Sequence, residues 1–245
     1  MMHGTWAIYL RELRILKSRV PMLVGGMSVA PLLYLVAFGF ALGRDMTVSG
    51  HAYMSYLLPG LVALSSMTQA FSIAGEINVA RFYWKVFEEI QSSPVHDAAY
   101  VGGEVLAGLT RGLMAAAVIV VFGRLFGVSI ALGAGFWLAV VLNGAVFAAL
   151  AVALAMVVRE HSTQMMLNTF LITPMAFLGG TFFPVDRLPE WAQWLLALLP
   201  ITHASEAIRA SALGEGFRLV PCLVLAAMSA ALFTLATRLV RQARD

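Results

Sequence analysis

Long apolar runs dominate the chain, and short polar segments separate them. The runs lie near residues 21–42, 54–75, 100–122, 132–157, 164–183 and 219–237. Each is close to the roughly 20 apolar residues that an α-helix needs to cross a bilayer. Hydrocarbon offers the backbone no hydrogen-bond partners, so such runs have to satisfy their own N–H and C=O groups as helices. The pattern predicts an all-α polytopic membrane protein, with one transmembrane domain over residues 1–245.

Composition agrees with a lipid environment. Hydrophobic residues make up 60% of the chain and charged residues 12%, with a mean hydropathy of +0.85, far from the balance of soluble domains. The formal net charge of +3 is not gathered into a basic stripe, which argues against nucleic acid as a partner. Cys222 is the only cysteine, so an intrachain disulfide and a CxxC metal site are both excluded.

The basic residues predict the orientation, because Lys and Arg are enriched in cytoplasmic loops. A cytoplasmic N-terminus places ten of them inside: Arg11, Arg14, Lys17, Arg19, Arg81, Lys85, Arg159, Arg238, Arg241 and Arg244. Five then lie outside: Arg44, Arg124, Arg187, Arg209 and Arg218. Both termini are therefore predicted to be cytoplasmic.

Two segments next to the spans have an amphipathic or interrupted pattern. Residues 5–19 place Trp6, Tyr9 and Leu13 on one side at helical spacing, which predicts an N-terminal amphipathic helix at the membrane interface; a simple positively charged topology anchor is the alternative. Residues 188–200 are apolar but too short to cross and are bracketed by prolines. They predict an external re-entrant helical hairpin over residues 186–209.

The loop between the second and third spans is longer than a connection requires. Phe82, Val86 and Ile90 recur on one side, and Pro94 ends the pattern. We predict a cytoplasmic helix over residues 80–97 that could receive force from a soluble partner. An amphipathic connector without a partner is the alternative.

Catalytic and nucleotide-binding patterns are absent from the sequence. The chain has no HExxH or GxSxG motif, and neither of its lysines, Lys17 and Lys85, closes a GxxxxGK[ST] phosphate loop. Any ATP is therefore bound by another chain. Glu104 and Arg111 are seven residues apart in the third span, and intramembrane charges are costly. They either line a pathway or pair with other groups between helices.

Three stretches carry a family resemblance: YLLPGLVALSS at 56–66, ARFYWKVFEEIQSSPV at 80–95, and GGTFFPVDRLPEWAQWLLALLPITHASEAIR at 179–209. Together with the order of spans, they resemble the type-2 ABC exporter permeases, which include polysaccharide, lipo-oligosaccharide and daunorubicin-type drug exporters. The resemblance extends over essentially the full length, and the 80–95 loop looks closest to the lipo-oligosaccharide and drug branch.

The resemblance implies a homodimeric permease of a bacterial inner membrane, with two ATP-binding-cassette ATPase subunits that hold ATP and Mg. This chain would then be no enzyme and carry no cofactor, and would export a lipid-linked oligo- or polysaccharide or a hydrophobic drug. The 80–97 helix would be the coupling helix, and its expected ATPase-facing residues are Lys85, Glu88, Glu89, Gln91, Ser92, Pro94 and His96. The expected outer-gate residues are Phe182, Phe183, Pro184, Trp191 and Pro200. Glu206 and Arg209 match the end of the pattern without an evident role.

Two other classes of function stay open from the residues alone. A membrane-embedded enzyme that acts on lipid or peptide would need a catalytic constellation, and none is found. An ion-coupled secondary transporter would be expected to have broken helices in both halves of the chain, whereas a strongly interrupted segment occurs only in the C-terminal half.

Overall fold

The computed structural model describes residues 2–43, 46–48 and 50–243, apart from the side chains of Phe40, Leu42 and Gln91. Arg44 and Arg244, which entered the charge count above, lie outside the described residues. The first half contains α1 (Met2–Tyr34), a π-helical segment (Leu35–Leu42), β1 (Thr47–Val48), β2 (His51–Ala52), α2 (Tyr53–Phe71), α3 (Ile73–Phe82), α4 (Val86–Ser92) and α5 (Asp97–Leu125). The second half contains α6 (Ala134–Val157), α7 (His161–Leu167), a π-helical segment (Asn168–Ile172), α8 (Thr173–Leu178), a 3₁₀ turn (Val185–Arg187), α9 (Glu190–Leu196), α10 (Pro200–Ala212) and α11 (Leu219–Gln242).

Five of the described helices are long and apolar enough to cross a membrane. They cover Met2–Gly39, Tyr53–Phe82, Asp97–Leu125, Ala134–Val157 and Leu219–Gln242. These helices confirm the prediction of a predominantly helical, multi-pass membrane protein. The two-residue strands β1 and β2, which pair antiparallel, are a small departure from the all-α prediction.

The fifth predicted span, near 164–183, is helical over a slightly different range, and its crossing of the membrane stays a prediction. The helical residues begin at His161 and end at Leu178, with a π-helical stretch in the middle. The helix stops there because Gly180 has a φ of +79°, a conformation that glycine adopts without steric cost and that often ends a helix.

The N-terminal segment is not a separate interfacial helix. Residues 5–19 belong to α1, which continues without a break to Tyr34. The reason is that this segment packs on α5: a Cβ built on Gly103 would lie 2.6 Å from the Ile8 Cβ. The hydroxyls of Tyr9 and Thr110 are hydrogen-bonded at 3.0 Å. A neighbouring helix thus covers part of a face that the sequence alone assigns to the membrane surface.

The core of the bundle is formed by α2, α5 and α6. Small residues allow α5 to approach α2 closely, since a Cβ on Gly112 would lie 3.0 Å from the Ser66 carbonyl oxygen. Asn143 of α6 donates hydrogen bonds to the Ala63 carbonyl, at 3.0 Å, and to Ser66 Oγ, at 2.6 Å. Close approach and interhelical hydrogen bonds are what hold helices together in lipid, where hydrophobic driving force is weak.

The bundle has two distinguishable ends. At the terminal end, Met2 and Trp6 of α1 line the same cavity as Phe233 of α11, so the start of the chain lies beside its last helix. At the strand end, His51 of β2 lies 4.0 Å from the Glu215 carboxylate in the loop before α11.

The irregular segment from α7 to α8 runs between these two ends. A Cβ on Gly75 of α3 would lie 3.8 Å from the His161 ring, at the start of α7. The Tyr53 hydroxyl, at the start of α2, donates a 2.9 Å hydrogen bond to the Phe182 carbonyl just beyond α8. Residues 161–182 therefore lie alongside most of the α2–α3 length.

The predicted helix over 80–97 is divided, whereas the predicted hairpin over 186–209 contains two helices and its re-entrant position stays a prediction. α3 ends at Phe82, the chain turns at Lys85 with a φ of 54°, and α4 covers Val86–Ser92 alone. Ser93 is extended, as expected for a residue that precedes proline. The hairpin region contains α9 and α10, and α10 continues past residue 209 to Ala212 because its apolar side packs on α2 and α6.

Candidate functional site

The predicted partner-facing residues are gathered around α4, at the terminal end. We call residues 83–96 the α4 segment. Six of the seven predicted docking residues have exposed side chains: Lys85, Glu88, Glu89, Ser92, Pro94 and His96. The seventh, Gln91, has a side chain outside the described residues. Their exposure leaves these residues open to a partner, and their docking role stays a prediction.

Phe87 anchors the α4 segment to the bundle. Its side chain is 5% exposed, and its ring lies 5.3 Å from that of Tyr100 in α5. The Arg81 guanidinium lies 5.2 Å from the Phe87 ring and donates a 2.6 Å hydrogen bond to the Met156 carbonyl at the end of α6. A displacement of α4 would therefore act on α3, α5 and α6 together.

A charged cavity of about 320 Å³ lies behind this segment, between α1, α3 and α5. Arg111 lies beside the cavity and is 4% exposed. Its guanidinium forms a bidentate ion pair with Glu76, in which Nη1 donates to Oε1 at 2.7 Å and Nη2 donates to Oε2. Glu104 lines the cavity and is 3% exposed. The two intramembrane charges predicted from the sequence are thus both buried on α5, but Arg111 pairs with Glu76 and not with Glu104.

A polar stripe continues from this cavity along α3 and α2. Ser65, Gln69, Ser72 and Glu76 are spaced by three or four residues and so share one helix face. Ser72 and Glu76 line the charged cavity. Ser65 and Gln69 line a second cavity of about 190 Å³ that α1 and α8 complete. The stripe connects two cavities along a helix that is otherwise largely buried.

Arg209 of α10 organises the strand end. Its guanidinium donates hydrogen bonds to the carbonyls of Gly180, at 2.7 Å, and Tyr56, at 3.3 Å, and lies 3.8 Å above the Tyr56 ring. It also reaches the Thr181 carbonyl at 3.5 Å. Arg209 therefore fastens the turn after α8 to the start of α2.

The five predicted outer-gate residues do not form one surface. Phe182 is buried in an aromatic cluster, 5.2 Å from Tyr34 and 5.0 Å from Phe38 between ring centroids, and Pro200 is buried at the start of α10. The remaining three are progressively more open: Phe183 and Pro184 are partly buried, and Trp191 is 69% exposed. Their role as a gate stays a prediction, with Phe182 and Pro200 as packing elements behind it.

Two of these features were missed by sequence reasoning. The second predicted span ends at residue 75, so Glu76 falls in the predicted loop, although its spacing from Ser72 and Gln69 places it on a polar helix face. The acceptors of Arg209 lie 29 and 153 residues away in sequence, so no local signal could identify them. Within the described residues, no group of His, Cys, Asp or Glu side chains is arranged to hold a metal ion.

The sequence matches known transport proteins over most of its length. A model of the family described as "ABC-2 type transporter" matches residues 3–213. The inner membrane transport permease YadH of Escherichia coli K12 is 30% identical over 227 residues, which cover 87% of this chain and 86% of that protein. Nodulation protein J of Rhizobium leguminosarum bv. viciae is 28% identical over 206 residues, 81% of this chain and 78% of its own length.

Proposed function

The chain belongs to the ABC-2 type transporter family, as the membrane subunit of an ABC transporter, and we propose that it is the permease of an exporter. Its substrate would be amphipathic, either a lipid-linked oligo- or polysaccharide or a hydrophobic drug, moved out of the cytoplasm. ABC-2 permeases work in a membrane with ATP-binding-cassette ATPase subunits. We further propose that this permease is a homodimer carrying two such ATPases.

The polar stripe on α2 and α3 is the observation that carries this proposal. Polar side chains within a span are costly unless they face protein, water or a substrate. Gln69 and Ser72 of the stripe stay partly open while most of the α2–α3 span is buried. They supply polar contacts between the charged cavity and the second cavity, as a path for an amphipathic molecule requires.

The α4 segment supports a role in energy coupling. ATP binding would draw the two ATPases together and displace α4, and the contacts of Phe87 and Arg81 would carry the movement to α3, α5 and α6. The stripe lies on α2 and α3, so the displacement would change the path itself. The terminal end is then cytoplasmic, in agreement with its high content of basic residues.

The outer helices support the homodimer. In an apolar 18-residue stretch of α1, 17% of the residues are buried inside the protein, and in that of α11 the share is 22%. The corresponding stretch of α2–α3 is 83% buried. Lipid or a second copy of the chain would cover the remainder. α1 also lines both cavities, so a second copy packed against it would help to enclose the path.

Charge reversal on α4 tests the proposal. Glu89→Arg should weaken co-purification of the tagged permease with its ATPase and lower substrate-dependent ATP hydrolysis, because Glu89 is exposed in the first turn of α4. Glu190→Arg is the matched control, since Glu190 is exposed in the first turn of another seven-residue helix, α9, on the predicted outer side.

We expect the wild type and Glu190→Arg to retain equal amounts of permease and ATPase, and Glu89→Arg to lose at least half of the ATPase. Equal retention by all three proteins would contradict α4 as the docking helix. Failure of the wild type to retain any ATPase would overturn the exporter proposal itself.

A further inference from the structure

Three acidic side chains of the described residues line the charged cavity, and two of them are neutralised within the chain. Glu76 is paired with Arg111, as described above, and Glu12 pairs with Arg11 through a 3.0 Å contact. Glu104 is the third acid. Among the described residues it has no hydrogen bond and no salt bridge, although it is 3% exposed and lines the cavity wall.

A buried carboxyl group without a counterion is costly in its ionised form, because that form loses its hydration, and a cationic ligand would stabilise it. The neighbouring cations are already engaged with Glu12 and Glu76. The two other cavity-lining groups that can carry positive charge, Arg19 and His161, have exposed side chains. Among the described residues, the buried wall of the cavity therefore offers Glu104 no unpaired cation, whereas the exposed rim does.

The rest of the lining is suited to an amphiphile. Ile15, Ile77 and Val79 supply apolar wall, and Trp84, which is 61% exposed, stands where the cavity opens. A carboxylate recognises an ammonium group through a charge-assisted hydrogen bond. The volume of about 320 Å³ falls in the range of small-molecule sites, roughly 300–1,000 Å³.

We propose that this cavity binds the ammonium group of a membrane amphiphile, with Glu104 as its counterion. The ammonium lies against Glu104, the hydrocarbon follows the apolar wall toward Trp84, and Arg19 at the rim favours an amphiphile that carries a phosphate beside its ammonium. Such a molecule is either an aminophospholipid of the bilayer or a transported amine. The site's place in transport rests on the proposed function, but the binding does not.

Ligand binding to the purified full-length chain tests this site without any ATPase. Dodecylammonium and the uncharged dodecanol are titrated in detergent, and binding is followed by the shift in thermal unfolding temperature. We expect dodecylammonium to stabilise the wild type more than dodecanol does. Glu104→Gln keeps the side-chain shape but removes the charge, and it should weaken dodecylammonium binding at least tenfold.

Glu160→Gln serves as the matched control, because Glu160 is an exposed carboxylate at the same end and does not line the cavity. It should bind dodecylammonium as the wild type does. Removal of an unpaired buried charge is not expected to impair folding, and unfolding without ligand checks this. If Glu104→Gln folds and binds dodecylammonium as tightly as the wild type, the proposal is wrong.

Native mass spectrometry of the purified chain distinguishes the two sources of the ammonium. Phosphatidylethanolamine retained by the wild type and lost from Glu104→Gln would support the site and assign it to a bilayer lipid. Absence of retained lipid, with dodecylammonium binding still dependent on Glu104, would support the site and assign it to a transported amine. The exporter proposal is judged separately, by the retention of the ATPase.

Discussion

At the scale of single residues, side chains acquire their roles from partners that are distant in sequence. Glu104 and Arg111 could be singled out as intramembrane charges from their position in an apolar run. The sequence could not show which of the two is paired, because Glu76, the partner of Arg111, lies on another helix. The exposure of the α4 residues is the opposite case, since a polar segment between two spans indicates it directly.

Arg209 allows a prediction about stability. Arg209→Met should lower the free energy of unfolding by about 3 kcal/mol, because a charged donor to a carbonyl contributes roughly 1.5–3 kcal/mol and its loss leaves carbonyls unsatisfied. Thermal unfolding in detergent measures the effect, and faster proteolysis within residues 179–184 would locate it at the turn.

Arg218→Met is the control for that substitution. Arg218 is about half exposed, and its guanidinium is 3.6 Å from Glu215, so its loss should cost less than about 1 kcal/mol. Equal destabilisation by the two substitutions would mean that the Arg209 hydrogen bonds contribute no more than an exposed ion pair.

At the scale of helices, the length of an apolar run predicts that a helix is present better than it predicts where that helix begins and ends. The spans at α5, α6 and α11 follow from their apolar runs. The separate interfacial helix and the single 80–97 helix were wrong, because a helix boundary depends on local backbone geometry and on neighbours. Ile8 packs against Gly103 on α5, and Lys85 adopts a positive φ; neither is encoded in an apolar pattern.

Close packing of α2 on the turn after α8 gives the prediction at this scale. A Cβ on Gly60 would lie 2.3 Å from the Thr181 carbonyl oxygen, so Gly60→Ala has to push the turn away from α2. We expect a loss of about 1–3 kcal/mol, as for other overpacked sites, measured as a lower unfolding temperature of the purified chain.

Gly75→Ala provides the comparison within the same span. Its Cβ would meet only the His161 ring, at 3.8 Å, which is ordinary contact. Alanine is also a better helix former than glycine by roughly 0.5–1 kcal/mol. Gly75→Ala should therefore be neutral or slightly stabilising, and destabilisation by both alanines would show that the close approach at Gly60 has no special cost.

At the scale of the whole molecule, the number of crossings decides where the two termini lie. Five of the helices in the described part of the chain are long and apolar enough to cross, and an odd number of crossings would put the termini on opposite sides. The segment 161–182 would be the sixth. Its helical residues, 161–178, extend about 27 Å at a rise of 1.5 Å per residue, close to the thickness of the hydrocarbon core. An even number also agrees with Met2 and Phe233 lining one cavity at the terminal end.

Cysteine labelling tests this topology, because Cys222 is the only native cysteine and Cys222→Ala removes it. In that background, Glu160→Cys, Asp186→Cys and Gln242→Cys each place one thiol at an exposed position. A membrane-impermeant maleimide should label Asp186→Cys in intact cells, and the other two after permeabilisation. Labelling of Asp186→Cys and Glu160→Cys from the same side would mean that 161–182 does not cross. The polar stripe would then have lipid or a partner, rather than a sixth span, opposite its outer half.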